Sequence, residues 1–224
     1  MNKTKIVEMN EEITQQISYM QPNQRLKKIL GIVMPPILWL IMFLTYQLYG
    51  VFFGNEIGWH LGLYTYWILC GLIFPATLIG FKRIKEVSAP RKFRLKMLPV
   101  ILFPLAMAFL FNLIPGLEYE KISVVGIIFL IITSFGNGIF EEILWRGVYM
   151  ELYPNNNFMR IGYSTFWYAV FHFASGSLSS NGNILGLVIG SAFFGIFLSL
   201  LAKWKNNIWW SILSHVLGGL VMIS

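Results

Sequence analysis

The amino-acid sequence predicts an all-α, polytopic transmembrane helical bundle of about seven spans with a cytoplasmic N-terminus. Of its 224 residues, 56% are hydrophobic and only 12% are charged, whereas soluble chains carry roughly a quarter charged residues. Apolar stretches long enough to cross a bilayer recur along almost the whole chain. Basic residues cluster in alternate connecting segments, as expected of a membrane protein that obeys the positive-inside rule.

The predicted spans follow a polar tail of residues 1–28. We expect three helices in residues 29–121 and a catalytic core of four helices in residues 122–224. The tail has apolar residues on one helical face, which favours either a helix on the membrane surface or a solvated, disordered segment. The predicted spans are about 29–53, 60–81, 97–116, 122–150, 161–174, 184–202 and 208–224. The fourth is unusually long and the fifth unusually short, so these two are predicted to depart from simple spanning helices.

The distribution of basic residues sets the expected orientation. When the seven spans alternate across the membrane, 15 of the 17 Lys and Arg residues fall on one side. Only Lys121 lies on the other side, and Arg146 remains within the fourth span. The basic side is therefore predicted to be cytoplasmic, with the plasma membrane as the location if the source is bacterial. The same rule removes nucleic acid as a partner implied by the formal charge of +7.

The composition also limits the chemistry. Cys70 is the only cysteine and lies in an apolar stretch, which excludes a disulfide scaffold. The sequence contains no Asp, so any carboxylate that works as an acid or base must be one of ten glutamates.

Apart from His60, which opens span two at the outer surface, five charged or histidine side chains fall inside predicted spans, where such groups are costly and are functional candidates by default. Glu142 precedes Arg146 by four residues, which is the favourable order for an ion pair on a helix. Glu141 points about 100° away and has no cation on its own helix, so it is the candidate general base. The alternative is a buried charge network that only locks helices together. The five residues are Glu141, Glu142, Arg146, His172 and His215.

The two histidines are predicted to lie near Glu141. At ~1.5 Å per residue, Glu141, His172 and His215 fall roughly 18, 16 and 11 Å from the inner ends of their spans. A Glu that takes a proton from water, with one His on the same water and another on the oxyanion, can hydrolyse an amide. The same three residues could instead fill three positions around Zn²⁺, although their spacing is not the H-E-x-x-H of known zinc proteases.

Three segments resemble motifs of one protein family. Residues 140–147, FEEILWRG, resemble the E-E-x-x-x-R motif of the CPBP family, which comprises CAAX proteases and bacteriocin-processing enzymes and is also called Abi. Residues 167–172, WYAVFH, resemble its second motif, an aromatic residue followed four residues later by His. Residues 186–215 are similar to its last core helices, which end on the third motif. The resemblance covers about residues 123–224.

The resemblance implies a role for each residue of the cluster. Glu141 would activate water, with Glu142 and Arg146 in support. His172 would share that water, and His215 would line the oxyanion site. Metal dependence is unsettled in the family, so a metalloprotease using Zn²⁺ stays one of the expectations.

The third motif of the family runs H-x-x-x-N or H-x-x-x-D, and here Gly219 stands four residues after His215. The loss of one oxyanion donor can cost ~10²–10³ in rate. Asn137, one turn before Glu141, is a hypothetical replacement. Because Gly219 replaces the usual Asn or Asp, the alternative function of a catalytically weakened membrane scaffold that binds a partner protein stays open.

The leading prediction is an intramembrane endopeptidase in the lipid bilayer, acting on a membrane-associated peptide or protein. The family suggests CAAX-type termini, bacteriocins or signalling peptides, with a processing or self-immunity role. A small transporter that uses Glu141 and His172 as a proton relay is a third hypothesis, and the absence of inverted repeats speaks against it.

Overall fold

A computed structural model describes residues 3–112, 124–178 and 183–221, and within these ranges the chain forms helices and no strand. The all-α prediction is confirmed for this part of the chain. A short turn, Leu95–Met97, leads into the fourth helix, and a wide π-helical turn, Phe158–Tyr163, leads into the sixth. The helices are α1 Lys3–Phe53, α2 Asn55–Ile79, α3 Phe81–Val87, α4 Leu98–Asn112, α5 Val124–Leu152, α6 Ser164–Gly176, α7 Ile184–Lys205 and α8 Trp209–Val221.

Four of the described helical segments are long and apolar enough to cross a membrane: Asn23–Phe53 within α1, and the whole of α2, α5 and α7. They correspond to the first, second, fourth and sixth predicted spans. The other three predicted spans coincide with α4, α6 and α8, whose described lengths are 15, 13 and 13 residues. The predicted ends at 113–116 and 222–224 lie outside the described residues. Seven spans and a cytoplasmic N-terminus therefore stay predictions.

The boundaries differ from the predicted ones at several places. The tail is not separate from the first span, because α1 continues without interruption from Lys3. Span two ends earlier than predicted, at Ile79, because Gly80 adopts φ 79° and turns the chain. The basic segment after it, predicted as a loop, begins with the helix α3. The short fifth span gains a turn at its N-terminal end from Phe158–Tyr163.

Glycines bring α1 and α2 together as a tight hairpin. Gly54, with φ 80°, is the single residue between the two helices. A Cβ atom on Gly58 would lie 2.6 Å from the backbone nitrogen of Gly50, so the two helices touch through their backbones. A Cβ atom on Gly62 would lie 2.3 Å from the ring of Tyr46. This close approach holds Tyr46 flat against α2 in the protein interior.

The proline pair Pro35-Pro36 lies inside α1 and removes two backbone donors, which leaves the carbonyl groups four residues earlier without their helical partners. Both carbonyls receive tyrosine hydroxyls instead. Tyr149 of α5 donates to the Gly31 oxygen over 2.7 Å, and Tyr163 donates to the Ile32 oxygen. Because an unpaired carbonyl is expensive in an apolar setting, these bonds fasten α1 to the helices that follow the third predicted span.

Helix α5 lies at the centre of the bundle, packed against α2 on one side and α8 on the other. Every residue from 141 to 150 is buried. Two glycines allow the close contacts: Gly136 faces the indole of Trp67 in α2, and Gly138 faces Val216 of α8. The polar motif of the sequence is therefore enclosed by helices on all sides.

Candidate active site

Glu141 and Glu142 close the regular part of α5, and the π-helical turn Ile143–Val148 follows them directly. Such wide turns inside α-helices occur frequently at functional sites. The exposed fraction is 5% for Glu141 and 0% for Glu142. Two adjacent acids thus lie in the core, and their partners decide what each can do.

Glu142 is bound to Arg146, as the four-residue spacing predicts. Arg146 Nη1 donates to Glu142 Oε1 over 2.8 Å, and neither side chain is exposed. The rest of the guanidinium is also bonded, since Nη2 donates to the Gly195 carbonyl over 3.0 Å and Nε to Ser199 Oγ over 3.3 Å. A Cβ atom on Gly195 would lie 3.1 Å from Nη2, so glycine is required for this approach. The ion pair is a fixed junction between α5 and α7.

Tyr168 of α6 supports the same guanidinium from its flat side. The Arg146 Cζ atom lies 4.4 Å from the centre of the Tyr168 ring, in the range of a cation–π contact. Tyr168 is 2% exposed. Arg146 is therefore both bonded along its edge and stacked on its face.

His215 of α8 links the two acids. Its Nδ1 lies 2.9 Å from Glu142 Oε1, and because an ionised carboxylate only accepts, Nδ1 carries the proton. Its Nε2 lies 3.7 Å from Glu141 Oε2, which is too long for a direct hydrogen bond. Phe194 and Tyr168 meet the imidazole edge-on at 5.4 and 6.1 Å between ring centres, which fixes its plane.

Glu141 Oε2 is buried and has no hydrogen-bond partner among the described residues. In the neutral ring the His215 Nε2 atom facing it carries a lone pair. Two facing acceptors at 3.7 Å leave room for a donor, such as a water molecule, that bridges them. The junction of Glu141 and His215 is thus suited to hold and polarise a ligand oxygen.

His172 of α6 is half-buried and does not bond directly to Glu141 or His215 among the described residues. Its Nδ1 donates to the Tyr168 carbonyl over 2.8 Å, which leaves Nε2 for a ligand. Its ring meets the Tyr168 ring edge-on at 4.7 Å. Within the described residues no hydrogen bond or ion pair joins His172 to Glu141 or His215. The structure brings four of the five predicted side chains into contact and connects the fifth through Tyr168.

The predicted Zn²⁺ set of Glu141, His172 and His215 is not assembled. No three His, Cys, Asp or Glu side chains in the described ranges are arranged to hold a metal ion. Glu142 Oε1 is already engaged by Arg146 and His215. Because the donor set does not fit a metal as arranged, the chemistry below uses only the side chains.

Three buried tyrosines come within the electrostatic reach of the unpartnered acid, and the sequence analysis did not single them out. The charge of Glu141 acts on the phenols of Tyr46, Tyr66 and Tyr168, which come from α1, α2 and α6. All three are at most 4% exposed. In the sequence these residues differ from their apolar neighbours only in having a hydroxyl group where Phe would also fit. Because Tyr is common in protein cores, this difference does not mark them as functional.

The position of the missing amide is occupied from α5. A Cβ atom on Gly219 would lie 3.0 Å from Ser134 Oγ, so Ser134 fills the space next to that position. The hypothetical substitute, Asn137, faces α2, where its Oδ1 accepts a hydrogen bond from Trp67 Nε1 over 2.9 Å. This bond uses only the acceptor oxygen of Asn137 and leaves its N–H group for other partners, so Asn137 as the replacement donor stays a hypothesis.

Comparison with known proteins agrees with the motifs. Residues 123–221 match the family model described as "Type II CAAX prenyl endopeptidase Rce1-like", a span that begins just before α5 and ends with α8. No curated protein and no solved structure gives a significant match. All five candidate residues lie within the matched segment. Over residues 123–221, somewhat less than half of the chain, the sequence is therefore similar to Rce1-like domains of the CPBP family.

Proposed function

We propose that this protein is an intramembrane endopeptidase that hydrolyses a peptide bond in a membrane-associated peptide, with Glu141 as the general base. One observation carries the proposal. Glu141 Oε2 is buried without a partner, 3.7 Å from His215 Nε2, while the neighbouring Glu142 is held by Arg146 and His215. Burying an acid without a partner costs free energy. Polarisation of a bound water molecule is a function that would explain why the acid is there.

The proposed reaction follows from these contacts. A water molecule between Glu141 and His215 loses one proton to Glu141 as its oxygen bonds to the peptide carbonyl carbon. The carbonyl oxygen becomes an oxyanion in a tetrahedral intermediate. The carbon–nitrogen bond then breaks, and Glu141 returns the proton to the leaving amine. The products are a carboxylic acid and an amine, and the Glu141 carboxylate is restored.

The geometry favours an exchange of the histidine roles that the family resemblance implies. His215, rather than His172, lies beside Glu141, and its Nε2 can accept a hydrogen bond from the second O–H of the water. His172 keeps its Nε2 available because Nδ1 is bonded to the Tyr168 carbonyl. In its protonated form that nitrogen would donate to the oxyanion. Glu142 and Arg146 orient His215 without touching the peptide.

The substrate class is taken from the matched family, which is described by its action on CAAX prenyl termini. A peptide with a prenylated, CAAX-type C-terminus is the first probe, because its lipid group partitions into the bilayer. Bacteriocin or signalling peptides are the second class, suggested by the wider CPBP family. In either case the cleaved bond would enter a site enclosed by α5, α6 and α8.

The alternative, a scaffold that binds a partner protein, rests on Gly219 and on the network of Glu142. That network forms by contacts within the bundle through Glu142 Oε1 and needs no substrate, although Glu142 Oε2 is buried without a partner among the described residues. Glu141 is the residue that separates the two functions. A packing role would be served by a bonded or apolar side chain, and Glu141 Oε2 is neither.

The test is cleavage of a fluorogenic prenylated CAAX-type peptide by the purified protein in lipid nanodiscs. Glu141→Gln should lower kcat by ~10²–10⁴-fold, the usual contribution of a general base, with an unchanged melting temperature. Glu151→Gln is the matched control, because Glu151 lies on the same helix and pairs with Arg83 at the surface. If Glu141→Gln cleaves as fast as wild type, the hydrolytic function is wrong.

A further inference from the structure

Tyr66 of α2 lies outside the matched segment, yet it is bonded to the motif helix. Trp145, four residues after Glu141 on α5, donates its indole N–H to the Tyr66 hydroxyl oxygen over 3.0 Å, and this bond is buried. Residues four apart lie on the same side of a helix. Tyr66 is thus held on the Glu141 side of α5, opposite the network of Arg146.

The Trp145 bond also directs the Tyr66 proton. An indole nitrogen only donates, so at this contact the phenol oxygen is the acceptor, and its own hydrogen must point elsewhere. In the described part of the chain Tyr66 makes no other hydrogen bond. The ring is fixed as well, since Phe171 of α6 packs against Tyr66 at 5.4 Å and against Trp145 at 5.1 Å between ring centres.

The unused acceptor nearby belongs to Glu141. Its Oε2 atom is buried without a partner, and Glu141 lies one helical turn before Trp145, the residue bonded to the Tyr66 hydroxyl. Phe171 is followed in the chain by His172, so Tyr66 and Trp145 also adjoin the segment that carries the second candidate histidine. A buried donor and a buried acceptor, both unused among the described residues, therefore lie on the same side of α5.

We infer that Tyr66 donates a hydrogen bond to the ligand oxygen that occupies the space beside Glu141, and so supplies the donor that the glycine at position 219 cannot. The inference rests on the proposed function. That oxygen is a water oxygen in the resting site and, once the peptide is bound, the carbonyl oxygen that becomes the oxyanion of the tetrahedral intermediate. The active site then extends beyond residues 123–221 to α2, with Trp145 as a positioning residue that directs the phenol.

Tyr66→Phe tests the inference, because it removes the hydroxyl and keeps the ring. We expect kcat on the prenylated peptide to fall by ~10²-fold, the loss seen when one oxyanion donor is removed, with KM unchanged. Tyr149→Phe is the matched control, since Tyr149 is an equally buried tyrosine that donates to the Gly31 carbonyl, away from the acid. It should lower the melting temperature and leave kcat unchanged.

A second measurement does not depend on turnover. In protein labelled with ¹³C-glutamate, the infrared carboxylate band that disappears in Glu141→Gln belongs to Glu141. That band should shift in Tyr66→Phe and stay in place in Tyr149→Phe. Trp145→Phe, which keeps the Tyr66 hydroxyl but no longer directs it, should give a smaller shift and a smaller loss of kcat.

The outcomes separate this inference from the proposed function. Full activity in Glu141→Gln overturns the function itself. An inactive Glu141→Gln beside a Tyr66→Phe variant with kcat within twofold of wild type overturns only the inference. Equal effects of Tyr66→Phe and Tyr149→Phe on kcat and melting temperature would show that the Tyr66 hydroxyl is structural. If wild type leaves the peptide intact, an unshifted Glu141 band in Tyr66→Phe overturns the inference.

Discussion

Two adjacent acids on α5 are equally buried and have opposite surroundings. Glu142 faces α7 and α8, where Arg146 and His215 both donate to its Oε1. Glu141 also lies near His215, at 3.7 Å from Nε2, but its Oε2 accepts no hydrogen bond among the described residues. A rotation of about 100° around one helix thus separates a carboxylate that is held from one that is available.

The difference shows how a buried carboxylate can stay available for chemistry while its surroundings are held in place. Arg146 is satisfied on three sides by Glu142, Gly195 and Ser199, and it stacks on Tyr168. This network fixes the helices around Glu141 without bonding to it. Glu142 Oε2 is also buried without a partner among the described residues, but its Oε1 is bonded twice, whereas neither oxygen of Glu141, the residue to which we assign the chemistry, accepts a hydrogen bond there.

The largest effect on stability is expected at Glu142. Glu142→Gln leaves the Arg146 charge buried without a counter-charge, and we expect it to lower the free energy of unfolding by about 3–5 kcal/mol. Glu141→Gln should leave it unchanged, because no partner is lost. Thermal unfolding of both variants in the same detergent measures the difference. Equal melting temperatures would contradict the assignment of a structural role to Glu142 and not to Glu141.

A smaller effect is expected where α8 approaches α5. Gly219→Asn restores the amide of the family motif, but its Cβ would lie 3.0 Å from Ser134 Oγ. We expect overpacking to cost about 1–3 kcal/mol and activity not to rise. Gly219→Asn combined with Ser134→Gly removes the obstacle and should recover the stability. A single Gly219→Asn variant as stable as wild type would contradict this account of the glycine.

The smallest effect is expected at the edge of the Arg146 network. Ser199→Ala removes the acceptor of Arg146 Nε, a long bond of 3.3 Å. The loss should be about 0.5–1.5 kcal/mol, because the Glu142 and Gly195 bonds remain. Thr165 Oγ1 lies 3.3 Å from Ser199 Oγ, and Thr165→Ala serves as the neighbouring control. A loss as large as that of Glu142→Gln would place Ser199 at the centre of the network rather than at its edge.

Local patterns in the sequence are enough for the membrane class, the helical fold and the ion pair. Hydropathy and charge predict the apolar helices, since both are properties of a stretch of chain. The Glu142–Arg146 pair is likewise local, because residues four apart on a helix meet whatever surrounds them. Helix ends were predicted less well: Gly80 ends α2 before Phe81, and α1 continues through the expected tail.

The assignment of partners across helices needed the tertiary structure. The sequence predicts that His172 and His215 lie level with Glu141, but depth along a helix does not give the direction of a side chain. The packing of α8 on α5, allowed by Gly138, places His215 against both acids. Tyr168 separates His172 from them. Because depth does not give direction, the three predicted Zn²⁺ ligands are also not brought together as one ligand set.

What the sequence determined by itself is a membrane protein with few charges, a helical fold, and five ionisable residues to which a function could be assigned. What only the tertiary structure decided is which of two neighbouring glutamates has no hydrogen bond among the described residues, and that Tyr66, from outside the matched segment, is bonded to Trp145 of the motif helix. The physical reason is that hydropathy, spacing and motif are read along one helix. The partner of a buried polar atom is set by whichever helix packs against it.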